Sequence, residues 1–199
     1  QGFKGGGFDP RGQTTACRNP RGAACNAQEV FDFLSFDPET VDSFEVGAKT
    51  EFADGKVQLN AAAFIVKYND KQEEIIRPAT GGGTETIVDN AASAETKGIE
   101  LELIARATPE LTFRAAGAYL SAKYDDFLIP DLANPGQFVD ITNVANFRRA
   151  PKWSGNVGLD YDKALDDRNS INFNTNLAYL DDFFTSPRRD PTGRNRDTI

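Results

Sequence analysis

The residues that could do chemistry in this sequence of 199 residues are carboxylates, arginines and two cysteines, because His is absent. A His/Cys metal site or a catalytic triad with a His base therefore cannot be built from it. The adjacent acids Asp125-Asp126 and Asp181-Asp182 each precede Phe, just past a predicted strand. Calcium needs about six to eight oxygen ligands from several positions, so we interpret both pairs as solvated charge, with calcium as the alternative. We expect no catalytic residue, no metal site and no cofactor, and hence no enzyme.

Arginine is concentrated outside the predicted strands, and Arg148-Arg149 is the best candidate for a ligand contact. Guanidinium groups bind carboxylates and phosphates through bidentate hydrogen bonds. Contact with lipopolysaccharide and plain solubility are the alternatives. We therefore predict that Arg148 and Arg149 contact a small anionic ligand.

Cys17 and Cys25 are separated by seven residues, a spacing that can close a small loop. A redox or metal pair is the alternative, but no further thiol or His is available as a partner or ligand. We predict a disulfide between Cys17 and Cys25, which would place this segment in an oxidising compartment.

The elements that must position these residues are hairpins, and the clearest covers residues 43–68. Two alternating strands are joined by Asp54-Gly55, a strong hairpin signal because a type I′ turn needs φ > 0 at both central residues. This turn pairs Thr50 with Leu59 and sorts the side chains into an apolar face and a polar face.

A second hairpin is predicted from strands 94–107 and 111–124. A three-residue turn keeps the apolar residues on one face, whereas a two-residue turn would put Leu103 beside Arg114. The polar segment 69–94 that precedes this hairpin is predicted as a long loop.

A third hairpin is predicted from strands 151–161 and about 170–180, with Tyr161 opposite Ile171. Its apolar and polar residues alternate as in the other two hairpins. Residues 125–150 before it are predicted as another long loop. With residues 1–8 as a further strand, the sequence contains seven predicted strands.

Long strands, alternating short and long connections, and aromatic residues toward the strand ends indicate an antiparallel outer-membrane β-barrel. A single-chain bacterial barrel normally has an even number of strands, and lipid does not tolerate unpaired edges. The seven strands are therefore interpreted as a transmembrane β-barrel fragment with long extracellular loops. A soluble β-sandwich is the alternative. No Met is present, even at residue 1, which we take to indicate an internal piece or a processed product.

In this interpretation, one face of each hairpin contacts lipid and the other contacts the lumen. The predicted lipid-facing residues are Phe44, Val46, Phe52, Val57, Leu59, Ile65, Ile99, Leu101, Leu103, Trp153, Val157, Leu159, Phe173, Leu177 and Tyr179. The predicted lumen-facing residues are Glu45, Lys49, Glu51, Gln58, Asn60, Glu100, Glu102, Arg106, Arg114, Asn172, Asn174 and Asn176. The net charge of −8 argues against a nucleic-acid partner.

Four stretches of the sequence resemble the barrel of TonB-dependent outer-membrane receptors. They are GFKGGGFDPRG (2–12), PETVDSFEVGAKTEFADGKVQLNAAAFIVKYNDKQ (38–72), ETKGIELELIARATPELTFRAAGAYLSAKYDDF (95–127) and RRAPKWSGNVGLDY (148–161). The resemblance implies a barrel of about 22 strands with an N-terminal plug, located in the bacterial outer membrane. The TonB box, the plug and the remaining strands are absent from residues 1–199, so no residue here is assigned to TonB.

The resemblance further implies TonB-coupled import of a scarce nutrient such as a ferric siderophore, cobalamin or a glycan. Its expected partners are outer-membrane lipid, the nutrient ligand, and the TonB complex through the absent plug. Other outer-membrane or surface proteins are further candidates. The alternative functions are a passive porin, a structural barrel and a soluble carbohydrate-binding β-sandwich.

Overall fold

The computed structural model describes residues 1–12, 17, 24–79, 83–134, 137–185 and 196–197. The chain forms two compact units. Unit 1 comprises Gln1–Ser43, Val66–Glu95 and Lys123–Ala145, and unit 2 comprises Phe44–Ile65, Thr96–Ala122 and Asn146–Ile199.

The described residues contain twelve strands and one short helix, which confirms the all-β prediction. In chain order they are β1 (Gly2–Lys4), β2 (Gly7–Phe8), α1 (Ala27–Leu34), β3 (Ser35–Phe36), β4 (Glu39–Phe52), β5 (Val57–Pro78), β6 (Thr84–Arg106), β7 (Leu111–Pro130), β8 (Phe138–Asp140), β9 (Trp153–Ala164), β10 (Ser170–Leu180), β11 (Phe183–Phe184) and β12 (Arg196–Asp197). Within the described part of the chain, no helix is long and apolar enough to cross a membrane.

The main sheet has the strand order β1-β4-β5-β6-β7-β9-β10, and β8 pairs with β7. The pairs β1/β4, β7/β9 and β9/β10 are all antiparallel. The sheet therefore follows the chain from hairpin to hairpin, and among the described residues β1 and β10 are its two ends.

The first predicted turn is confirmed. Asp54 and Gly55 have φ values of 54° and 77°, and Lys56 N donates to Ala53 O at 3.1 Å. Positive φ at both central residues is the geometry of a type I′ turn. Thr50 Oγ1 donates to Leu59 O at 2.8 Å, which fits the predicted pairing of these two residues.

The second predicted turn is also confirmed. Ala107 N donates to Leu111 O at 2.9 Å, and Leu111 N donates to Thr108 O at 3.3 Å. The Thr108 hydroxyl accepts a further hydrogen bond from Leu111 N at 3.1 Å. The turn thus encloses the three predicted residues.

The register predicted for the third hairpin is wrong by two residues. Tyr161 pairs with Phe173 instead of Ile171, because β9 continues to Ala164 and the turn is shorter than predicted. Asp166 Oδ1 closes this turn by accepting the backbone N–H of Asn169 at 2.9 Å. A shift of two residues leaves every side chain on its predicted face.

The first long loop was predicted wrongly over most of its length, and the second was predicted wrongly over 125–130 and 138–140. Within 69–94, β5 continues to Pro78 and β6 begins at Thr84, and within 125–150, β7 continues to Pro130. These segments lack the one-sided apolar pattern that the prediction required. They nevertheless form strands, which bury both apolar and polar residues in unit 1.

The N-terminal segment also differs from its prediction. Residues 1–8 form two short strands, β1 and β2, rather than one. Residues 30–34 belong to α1, which begins with a capping box between Asn26 and Glu29. Glu29 N donates to Asn26 Oδ1 at 3.0 Å, and Asn26 N donates to Glu29 Oε2 at 2.8 Å. Both backbone N–H groups, which have no acceptor within the helix, are therefore hydrogen-bonded.

Unit 1 has a small buried core. Its fully buried apolar residues are Cys17, Ile75, Ile87, Ala92, Ala94, Tyr124, Phe127 and Ile129. The rings of Tyr124 and Phe127 lie 4.7 Å apart. Five polar residues are buried in the same unit: Asp9, Glu39, Gln72, Glu73 and Glu85.

Candidate functional site

A groove of about 1220 Å³ in unit 2, called the polar groove after its charged and amide residues, is lined by these together with small residues and with Leu101 and Tyr179. Side chains two residues apart on a strand point to the same side of a sheet, which brings residues of successive strands together here. The predicted lumen-facing residues that line it are Glu45, Lys49, Asn60, Glu100 and Glu102. Small residues on the same face, including Gly47, Ala62, Ala116 and Ala118, leave the groove open.

Polar contacts join neighbouring strands across this face. Asn60 Nδ2 donates to Glu102 Oε2 at 2.9 Å, between β5 and β6. Arg114 Nη1 lies 2.9 Å from Asp160 Oδ2, and Asn174 Nδ2 donates to the same carboxylate. These groups are solvent-accessible, so the ion pair contributes at most about 1 kcal/mol. These contacts form a hydrogen-bonded surface that joins neighbouring strands.

Other members of the predicted set lie near the turns. Arg106 Nη1 donates to Gly55 O at 3.3 Å, and a methyl group on Gly55 would lie 2.7 Å from Glu51 Oε1. Asn172 Nδ2 donates to Ser170 Oγ at 3.4 Å. That the whole set faces a lumen stays a prediction.

Phe64 lies on the polar face, where its ring covers Gly98. A methyl group on Gly98 would lie 2.7 Å from Phe64 Cζ and 2.5 Å from Tyr119 O. No side chain fits at this position, so glycine is required for the close approach of ring and backbone.

The opposite face of unit 2 is apolar and exposed. Phe44 is 74% exposed, and Leu177 is 70% exposed. The other predicted lipid-facing residues that are exposed are Val46, Phe52, Leu59, Ile65, Ile99, Leu101, Trp153, Val157, Phe173 and Tyr179. Val57, Leu103 and Leu159 are half-buried. Apolar patches of this extent are rare on soluble monomers and mark contact with a protein or a membrane; contact with lipid itself stays a prediction.

Aromatic rings mark one end of the apolar face. Tyr119 pairs with Trp153 across β7 and β9, and their ring centroids lie 4.7 Å apart. Lys152 Nζ lies 5.9 Å from the Tyr119 ring centroid. The short turns lie at the other end of the same strands.

Arg148 and Arg149, the predicted ligand contacts, are exposed residues of unit 2. Arg149 has a φ of 53°, and its backbone N–H donates to Phe184 O at 2.8 Å. Arg148 forms a parallel bridge with Phe184. Neither residue lines the polar groove, so the structure does not bring the two predicted sites together.

Each acidic pair contacts a neighbouring group of the chain. Asp125 pairs with Lys123 at 2.8 Å, and Asp181 Oδ1 accepts the backbone N–H of Asp182 at 3.0 Å. In the part of the chain that the structure describes, no group of three or more His, Cys, Asp or Glu residues could hold a metal ion.

Unit 1 contains a buried charge network that the sequence did not reveal. Arg77 Nε donates to Glu85 Oε1 at 2.6 Å, and the Arg77 guanidinium carbon lies 3.8 Å from the centroid of the Phe33 ring. A second pair lies within β5 itself, where Lys71 Nζ lies 2.5 Å from Glu73 Oε1. Tyr124 Oη donates to that same oxygen at 2.8 Å. The contacts of Arg77 with Glu85 and of Tyr124 with Glu73 join different strands, so they depend on which strands become neighbours.

The segment around Asp9 is fixed to unit 1 by another set of polar contacts. The Asp9 carboxylate accepts from Arg11 Nη2 at 2.9 Å and from the Val88 backbone N–H at 2.6 Å. Hydrogen bonding to the Arg11 side chain, against the opposing effect of burial, holds the pKa of Asp9 below its usual value. Arg11 Nη1 also lies 2.8 Å from Glu74 Oε1, so this arginine links two carboxylates.

The predicted disulfide is confirmed. Cys17 is bonded to Cys25, with their Cα atoms 5.6 Å apart. Cys17 is buried, and its sulfur lies 3.6 Å from Glu29 O. The bridge therefore lies against α1.

Known proteins share the sequence pattern and the fold of this chain. A family described as TonB dependent receptor-like, beta-barrel, matches residues 1–197. No curated protein matches the chain.

Three solved structures have a similar fold. The ferric yersiniabactin uptake receptor FyuA from Yersinia pestis has a TM-score of 0.59 and 16% identity, covering 98% of this chain and 24% of its own. The siderophore receptor PiuA from Acinetobacter baumannii has a TM-score of 0.55 and 20% identity, covering 75% of this chain and 20% of its own. The ferric-catecholate import receptor Fiu from E. coli K12 has a TM-score of 0.50 and 16% identity, covering 82% of this chain and 20% of its own.

This chain thus spans 20–24% of the length of the three structures. At such identities the likeness shows a shared fold. This shared fold shows that the strands do not form the β-sandwich considered as the alternative.

Proposed function

Because the chain belongs to the TonB-dependent receptor-like β-barrel family, we propose that it forms part of the wall of a receptor that imports a scarce nutrient with energy from TonB. The observation that carries the proposal is the family match over residues 1–197. Members of this family are outer-membrane β-barrel proteins of Gram-negative bacteria, which places the chain in the outer membrane. The exposed apolar face of unit 2 suits that location.

The remaining strands and a plug would come from sequence outside these 199 residues. Support comes from the open ends of the main sheet at β1 and β10 and from the share of the solved receptors that the chain spans. The TonB complex would act through the plug. The polar groove, with its carboxylates and amides, would then form part of the lumen wall.

A ferric siderophore is the first cargo to test, with cobalamin and glycans as the other candidates. The choice is guided by the cargoes in the names of the similar receptors from Yersinia and Acinetobacter. The test is nutrient-limited growth and uptake of radioactive iron in a strain that carries the full-length gene, in one that lacks it, and in one that carries it but lacks TonB. Loss of uptake is expected in the second and the third strain. Uptake that continues without TonB would instead indicate a passive porin.

We further propose Arg148 and Arg149 as contacts of an anionic cargo, since both residues are exposed in unit 2. The double variant Arg148→Gln/Arg149→Gln should bind the cargo about tenfold more weakly in calorimetric titrations, the loss expected for one bidentate contact of about 1.5–3 kcal/mol. The matched control is Arg168→Gln, an exposed arginine in the turn between β9 and β10. Equal affinity of both variants would remove Arg148 and Arg149 from the binding site.

A further inference from the structure

We draw no further inference here: the strongest candidate, the small cavity beside α1 in unit 1 that Asp9, Asp32, Asp89 and Arg77 line, carries nothing, because Arg77 Nη2, which has no hydrogen-bond partner among the described residues, is buried out of reach of the cavity and nothing in the structure shows what the aspartates would bind.

Discussion

Units 1 and 2 are built from the same kind of long antiparallel strand, yet unit 1 buries apolar and charged side chains, whereas unit 2 exposes large apolar ones. Unit 1 buries Phe127 together with the carboxylates of Glu73 and Glu85. Unit 2 exposes large apolar residues such as Phe44 and Leu177. The same strand geometry therefore occurs in two settings: one buries apolar and charged side chains together, and the other exposes an apolar face.

The two units also differ in how their charges are arranged. Unit 1 contains two buried ion pairs, Lys71–Glu73 and Arg77–Glu85, whose burial makes an unpaired partner costly, beside exposed pairs such as Arg11–Glu74. In unit 2 they are accessible to water, as between Arg114 and Asp160. A substitution at a similarly exposed position should therefore change stability by a different amount in the two units.

The largest effect is expected from Phe127→Ala in unit 1. Phe127 is 2% exposed, and truncation of a buried Phe costs about 3–5 kcal/mol. Hydrogen exchange of the β6 and β7 amides in unit 1 should become faster, whereas exchange in unit 2 should not. Phe173→Ala, at 55% exposure, is the control on the apolar face. If both variants lose protection equally, the two units do not differ in the way proposed.

The next largest effect is expected from Val157→Arg in unit 2. Val157 is 54% exposed, and an arginine on the lipid face of a barrel costs about 2–4 kcal/mol near the bilayer midplane. Val139→Arg in unit 1 starts from a comparable 41% exposure and should change stability by about 0.5 kcal/mol or less. Urea unfolding in lipid vesicles measures both. A neutral Val157→Arg would contradict the assignment of this face to lipid.

Loss of the disulfide should have a smaller effect, confined to unit 1. The bridge closes a loop with a sequence separation of eight, for which chain entropy predicts about 2–3 kcal/mol. The variant Cys17→Ser/Cys25→Ser, or treatment with a reductant, should speed hydrogen exchange in α1. Unchanged exchange in α1 after reduction would show that the contact with Glu29 does not support the helix.

The smallest effect concerns the pH dependence of unit 1. The pKa of Asp9 is held below its usual value by hydrogen bonds from Arg11. The stabilisation is therefore present above the unfolded pKa of about 4 and is lost as pH falls through the folded pKa. Arg11→Gln should raise the pKa of Asp9 and move the loss of exchange protection at Val88 to higher pH.

Arg168→Gln is the control for this prediction. The pKa of Asp166 in that turn is lowered mainly by the Asn169 side chain, so the loss of the Arg168 side chain should not move it. Equal pH midpoints for Arg11→Gln and the unaltered protein would show that Arg11 does not set the pKa of Asp9.

Much of unit 2 could be predicted from the sequence, because its pattern is local. Alternation along each strand sorts the faces, and Asp54-Gly55 determines the first turn through its positive φ values. The third register was predicted wrongly because the turn is closed by side-chain hydrogen bonds of Asp166 and Asn169, which alternation does not report.

Unit 1 could not be predicted in the same way. Its strand segments have polar residues on both faces, so Ile75 and Glu85 carry no visible sidedness in the sequence. Their burial depends on strands that become neighbours only after the hairpins form. The ion pair between Arg77 and Glu85 joins β5 and β6, so it can be recognised only once these two strands are known to be neighbours.

The third hairpin also constrains how such a gene can change over evolutionary time. Since a displacement of two residues between β9 and β10 preserves both faces, insertions or deletions of two codons can be inherited without moving Asn174 toward lipid. A single-codon insertion within β9 would exchange the faces beyond it unless a bulge absorbs the extra residue. Related genes should therefore vary in the length of these strands mainly by even numbers of codons.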